Sequence, residues 1–159
     1  MSAEPLEEQL LQACTDRLAN IALIVPGLWY VPKFVTRTFR LLDSVNELPG
    51  YIVSLEPDES GAERQSIENP DATILASMGV EVLAYGAGSD LVPTDRVLVR
   101  LLGDAERALC STGWLGDGPA ITIENTRRVR THETEVGAPW RSMRSHVYRI
   151  RYLYTRGEP

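Results

Sequence analysis

The chain has 159 residues, a net charge of −6 and a pI near 5.0, with 43% apolar and 24% charged residues. That length accommodates one domain able to bury roughly two-thirds of its unfolded surface, so residues 1–159 are expected to form a single αβ domain. The apolar and charged fractions are those expected of an ordinary soluble globular protein. No apolar run approaches the ~20 residues of a membrane span, so no membrane partner is expected.

Pro5 with Glu4, Glu7 and Glu8 opens a first helix, because proline fits the first turn and acids suit the positive dipole end. Its stripe is Leu6, Leu10, Cys14, Leu18, Ile21 and Ala22, and Pro26-Gly27 stops it. The acidic N-terminus and the short apolar run 21–25 do not fit a secretory signal. Residues 34–42, rich in Val, Thr and Phe, are expected as a strand, and 51–55 as a short apolar strand after the Leu48-Pro49-Gly50 turn. The acidic stretch 57–71 lacks periodicity and reads as a long loop, a type that is commonly functional.

Residues 73–85 alternate cleanly, with Ile74, Ala76, Met78, Val80, Val82 and Ala84 on one face and Ser77, Gly79, Glu81 and Tyr85 on the other. Gly86 to Asp90 turns the chain, and Thr94 is the expected N-cap of a second helix striped by Val97, Leu98, Leu101, Leu102, Ala105, Ala108 and Leu109. That helix ends near Gly113. A strand at 121–124 follows. A closing strand alternates Tyr148, Ile150, Tyr152 and Tyr154 with Arg149, Arg151 and Thr155. The order α-β-β-β-α-β-β predicts an α+β fold, with a mixed, mainly antiparallel sheet and both helices on one face. The alternation lapses over 125–136 and resumes near Ser145, so residues 127–144 are expected to project as an Arg-rich hairpin.

Charge is divided along the chain. Residues 120–159 hold eight Arg against Glu124, Glu133, Glu135 and Glu158, leaving −10 for the first 119 residues. Opposite charges on one chain type suit pairing with further copies of itself. Lys33 stands beside fifteen arginines. Cys14 and Cys110 both fall among apolar neighbours on helical patterns and are expected as reduced, buried thiols.

The chemistry of an enzyme is missing. Gly86-Ala87-Gly88 occupies the position of a nucleotide loop, but Leu91 stands where the dinucleotide fingerprint needs glycine, and no Gly-Lys-Ser/Thr follows. His132 and His146 lack metal-ligand spacing. His146 is expected as a core or interface residue beside Tyr148 and Ile150. The cluster His132-Glu133-Thr134-Glu135 has no nucleophile motif to serve. The carboxylate pairs Glu7-Glu8, Asp58-Glu59 and Glu133/Glu135 are explained by solvated faces. No catalytic residue, cofactor or metal is expected.

The remaining candidates are interaction residues. Arg127, Arg128, Arg130, Trp140, Arg141 and Arg144 form a basic, aromatic arm, and Glu56, Asp58 and Glu59 head the acidic stretch. Such an arm can contact nucleic-acid phosphates and bases, which would make the chain a small nucleic-acid-binding αβ domain. The acidic pI and the interrupting glutamates favour a protein partner instead, since Arg and Trp are enriched at protein hot spots.

These residues resemble the tail terminator (tail completion, or minor tail) proteins of long-tailed bacteriophages and related tail-like particles. The likeness lies in the helix of Leu6 to Ile24 ending at Pro26-Gly27, and in a strand containing Arg37 and Phe39. It continues through Leu48-Pro49-Gly50-Tyr51-Ile52-Val53, a second helix over 95–109 running into Trp114-Leu115-Gly116-Asp117, and the closing Val147-Tyr148-Arg149-Ile150-Arg151-Tyr152. The resemblance implies a homohexameric ring in the virion, at the head-proximal end of the tail, assembled in the host cytoplasm. Such a ring ends tube polymerisation and joins the tail to the neck. Its partners would be further copies of itself, the tail tube protein and a neck or head-completion protein, with genomic DNA passing through the lumen without sequence-specific binding. It implies no catalytic residues.

Overall fold

The computed structural model describes residues 5–39, 47–56, 73–111, 114–115, 122–131 and 141–155. Three helices pack on a five-stranded mixed sheet, an α+β fold. The elements in chain order are α1 (Leu6–Ala19), α2 (Ile21–Ile24), β1 (Phe34–Thr36), β2 (Gly50–Leu55), β3 (Thr73–Ala87), α3 (Thr94–Leu109), β4 (Thr122–Thr131) and β5 (Arg141–Thr155). The strands lie side by side as β1-β2-β3-β5-β4.

The two long helices form where their apolar stripes predict them. Leu10, Cys14 and Leu18 of α1 and the whole expected stripe of α3 are buried. Leu10, Leu18, Leu98, Leu102 and Leu109 share one cluster with Val80, Val82 and Ile150, so both helices cover one face of the sheet. The expected first helix is divided at Asn20, beyond which Ile21–Ile24 makes a separate turn. Gly27 follows with a φ of +67°, a conformation that glycine adopts without the Cβ clash other residues meet.

The sheet departs from expectation at both edges. The first strand spans three residues rather than nine, and Arg37 and Phe39 lie beyond its end. It runs parallel to β2, pairing Phe34 with Gly50 and Thr36 with Ile52. Antiparallel neighbours were expected because no helix intervenes. The connection from Arg37 to Pro49, at about a dozen residues, is long enough to return the chain to the same end of the sheet. The other pairings are antiparallel.

On the opposite edge β4 continues to Thr131, seven residues past the expected strand. A bulge between Asn125 and Arg128 resets the register. Thr126 and Arg127 are two extra residues between Asn125 and Arg128, whose register positions Tyr148 and Val147 are adjacent, so the ladder continues beyond a local interruption. β5 likewise begins at Arg141, with Arg141 opposite Ala87 and Arg144 opposite Ala84 of β3. Arg128 stands opposite Val147, and Arg130 opposite Ser145. The backbone at both ends of the expected projecting arm therefore belongs to the sheet, and residues 132–140 lie outside the described set.

The expected N-cap at Thr94 is also corrected. Pro93 occupies the cap position, and the Thr94 hydroxyl accepts the Gly88 N–H at 3.2 Å, fastening the turn that enters the helix.

Candidate interaction surfaces

The expected interface residues separate into four groups, of which buried Glu56 is the last. Arg141 and Arg144 are half-buried within β5, and the Arg144 Nε is buried with no hydrogen-bond partner among the described residues. The backbones of Arg127, Arg128 and Arg130 lie in β4, which has no strand on its outer side among the described residues. Trp140, Asp58 and Glu59 lie outside the described residues, as do His132, Glu133 and Glu135.

Glu56 is not the exposed acid that its sequence neighbourhood suggests. It is 7% exposed, and its backbone N–H donates to the Gly79 carbonyl at 3.0 Å. Its Oε2 occupies the space where a Cβ on residue 79 would stand. Glycine at position 79 makes room for that carboxylate, which lies against the face opposite the helices. Glu56 also makes a polar interaction within the chain.

The Glu7-Glu8 pair, expected as a solvated face, instead ties α1 to the sheet side. The Tyr152 hydroxyl donates to Glu7 Oε1 at 3.0 Å. Arg37 engages both oxygens of Glu8, a two-pronged pair beyond the end of β1. The hydrogen bond from Arg37 holds the Glu8 carboxyl below its ordinary value. His146 is half-buried in β5, with its Nδ1 3.0 Å from the Asn125 amide nitrogen.

The thiols sit where α1 and α3 approach the sheet. Cys14 is fully buried and Cys110 half-buried at the end of α3, and both are free. Burial, with a smaller contribution from Cys110, pushes the Cys14 thiol up to about 12. Burial likewise raises Cys110. Thiols held in this way are poor nucleophiles, because the thiolate is the reactive form. Among the described residues, no group of three or more His, Cys, Asp or Glu side chains is placed to hold a metal ion.

Two surfaces were not foreseen from the sequence. The first is a groove of about 600 Å³ lined by Leu6, Leu10, Ala13, Arg17, Trp114 and Leu115. Arg17 closes one side of it. Its Nε donates to the Ala108 carbonyl at 2.7 Å, and its guanidinium lies 4.8 Å from the centre of the Trp114 ring.

The second surface is the outer side of α3 with the strap that precedes β1. Asp104 is 1% exposed and accepts the Trp29 backbone N–H at 2.9 Å. Arg107 lies 3.6 Å from the same carboxylate and donates to the Pro26 carbonyl at 2.6 Å. Arg100 stacks over the Trp29 ring at 4.0 Å and reaches the Tyr30 hydroxyl at 3.4 Å. Asp104 interrupts an otherwise apolar helical stripe. A buried acid needs a partner, and that interruption was the available signal for this clamp.

Compared with protein-family models and with curated proteins, the chain finds no match.

Proposed function

We propose that this chain is a structural virion protein of the tail-terminator kind, forming a homohexameric ring that caps the head-proximal end of a phage tail tube and joins it to the neck. The reading carries no catalytic role. The observation that supports it best is the element order, in which a helix, three strands, a second long helix and a final strand pair follow one another in the sequence on which the resemblance rests. Among the described residues, the short α2 turn is added to that order.

The sheet edge is the second support. β4 carries Arg127, Arg128 and Arg130 on the strand that ends the sheet, and residues 132–140 join it to β5. A basic edge strand with a connecting segment beyond it is suited to reach a neighbouring subunit or the tail tube. A ring needs this kind of heterologous contact, in which one flank of a subunit meets a different flank of the next.

Replacing Arg127, Arg128 and Arg130 with Glu tests the reading. Far-UV circular dichroism should remain that of the wild type. Native mass spectrometry should show the ring lost, and a tail-completion assay should show uncapped tubes, because facing like charges at an interface cost several kcal/mol. A triple variant that still forms rings and still completes tails overturns the role of this edge. A wild-type chain that stays monomeric and shifts DNA in a salt-sensitive manner would instead favour nucleic-acid binding.

A further inference from the structure

The outer side of α3 has no part in the proposal above. Arg96, Arg100, Gly103 and Arg107 recur at the spacing that stacks side chains along one helix face. Trp29 lies beside them, its backbone held by buried Asp104 and its ring under the Arg100 guanidinium. The strap is therefore clamped, yet Trp29 is 59%, Val31 61% and Val99 55% exposed. A rigid, exposed Trp–Arg pair with apolar neighbours has the make-up of an interface anchor.

Gly103 is a feature that the described residues do not explain. A Cβ there would meet none of them within 4 Å, and its φ is not in the left-handed region. Mid-helix glycine destabilises a helix relative to alanine. Among the described residues, neither packing nor backbone conformation requires it. Its effect is a low floor between Arg100 and Arg107, where another backbone can come close to the helix.

We propose that this flank of α3 docks residues 57–72 of a second copy of the chain. The charges are complementary: Asp58, Glu59, Glu63, Glu68 and Asp71 against a single Arg64 face three arginines. Three acids adjoin the flank. Asp104 is buried and lies 3.6 Å from Arg107. Asp95 is exposed at the start of α3, and Glu106 is half-buried near Cys110, whose thiol it helps to raise. The segment is also long enough. At ~3.3 Å per residue, a stretch of this length with both ends on the sheet reaches about 25 Å from it.

A closed ring is built from contacts between copies, so the segment is assigned to a neighbour rather than to its own subunit. The contact is head to tail, as a closed ring requires. The inference rests on the ring reading and assigns the acidic segment to the α3 flank.

Charge exchange in the full chain tests it, read by sedimentation equilibrium. Arg96→Glu/Arg100→Glu should weaken self-association at least tenfold, as should Asp58→Arg/Glu59→Arg. Mixing these two variants should restore association as an alternating oligomer, since the native flank then meets the native acidic segment and the reversed flank meets a segment relieved of its net negative charge. Gly103→Leu should weaken association at least tenfold with the Tm unchanged or raised, which a glycine needed for folding would not give. Variants that associate like the wild type, or a mixture that stays apart, overturn the docking site while leaving the ring intact. A wild-type chain that is monomeric at every concentration overturns both.

Discussion

The two faces of the sheet are built on different terms. Beneath the helices the buried surface is continuous and almost wholly apolar: Leu10, Leu18, Leu98, Leu102 and Leu109 close over Val80, Val82, Tyr148 and Ile150. On the opposite face the apolar cluster contracts to Ile52, Leu83, Tyr85 and Met143, with Phe34 and Leu48 packed against it. Buried polar groups share that side, including Glu56, Glu81 and Ser145. The first face derives its stability from area removed from water. The second combines a small apolar patch with polar groups that need specific partners, so its contribution per residue is smaller and more sensitive to geometry.

The contrast is tested most directly by truncating one leucine on each face. Leu102→Ala should cost about 2–5 kcal/mol, the range for a buried leucine whose neighbours cannot collapse into the space. Leu83→Ala should fall at the low end, about 2 kcal/mol, because fewer apolar neighbours surround it. Urea denaturation decides the order, and a larger loss for Leu83→Ala would reverse the comparison.

Two tyrosines under the helices sharpen it further. The Tyr51 hydroxyl donates to the Leu101 carbonyl at 2.7 Å, whereas the buried Tyr148 hydroxyl has no partner among the described residues. Tyr51→Phe should destabilise by about 1 kcal/mol. Tyr148→Phe should be neutral or stabilising by up to about 1 kcal/mol, since it removes an unpaired buried dipole. Equal losses in denaturation midpoint would show that the Tyr148 hydroxyl is satisfied after all.

Alkaline pH should act through the same face. Burial keeps the Cys14 thiol neutral in the folded chain up to about 12, against an ordinary value of 9.0, and raises Tyr51 and Tyr148 in the same direction. The unfolded chain ionises first, so this stability is complete below pH 9 and falls as pH rises from there toward 12. Urea midpoints measured from pH 8 to 11 should decline, and Cys14→Ala should make the decline shallower. A flat profile would mean that the thiol is more accessible than its burial implies.

The smallest effect lies at the acid end. Arg37 lowers the Glu8 carboxyl, so their pairing is complete above about pH 4.5 and is lost as pH falls through the lowered value. Arg37→Gln should raise the Glu8 titration midpoint, followed by NMR of its side-chain carboxyl. An unchanged midpoint would show the pair to be absent in solution.

The helices and the central strands were legible from the sequence because each buries one complete apolar face. A single period, 3.6 residues for α3 or two for β3, therefore survives along the whole element. The stripe of α3 and the alternation of β3 over 76–84 locate the core with no further information. What lies at the edges depended on contacts distant in sequence. The parallel β1, the bulge that extends β4 to Thr131 and the placement of Arg141 and Arg144 within β5 are matters of register. Register is set between strands and leaves no local period to read. The same holds for the surfaces: Glu56 is buried because residue 79, far along the chain, lacks a Cβ. Trp29 is presented because Asp104 and Arg107, which reach the strap across 75 and 81 residues of chain, hold it in place. Local periodicity determined which residues are inside. Only the tertiary structure decided which polar residues were drawn in beside them and which aromatic was left out, because those outcomes depend on pairing between side chains that sequence spacing does not bring together.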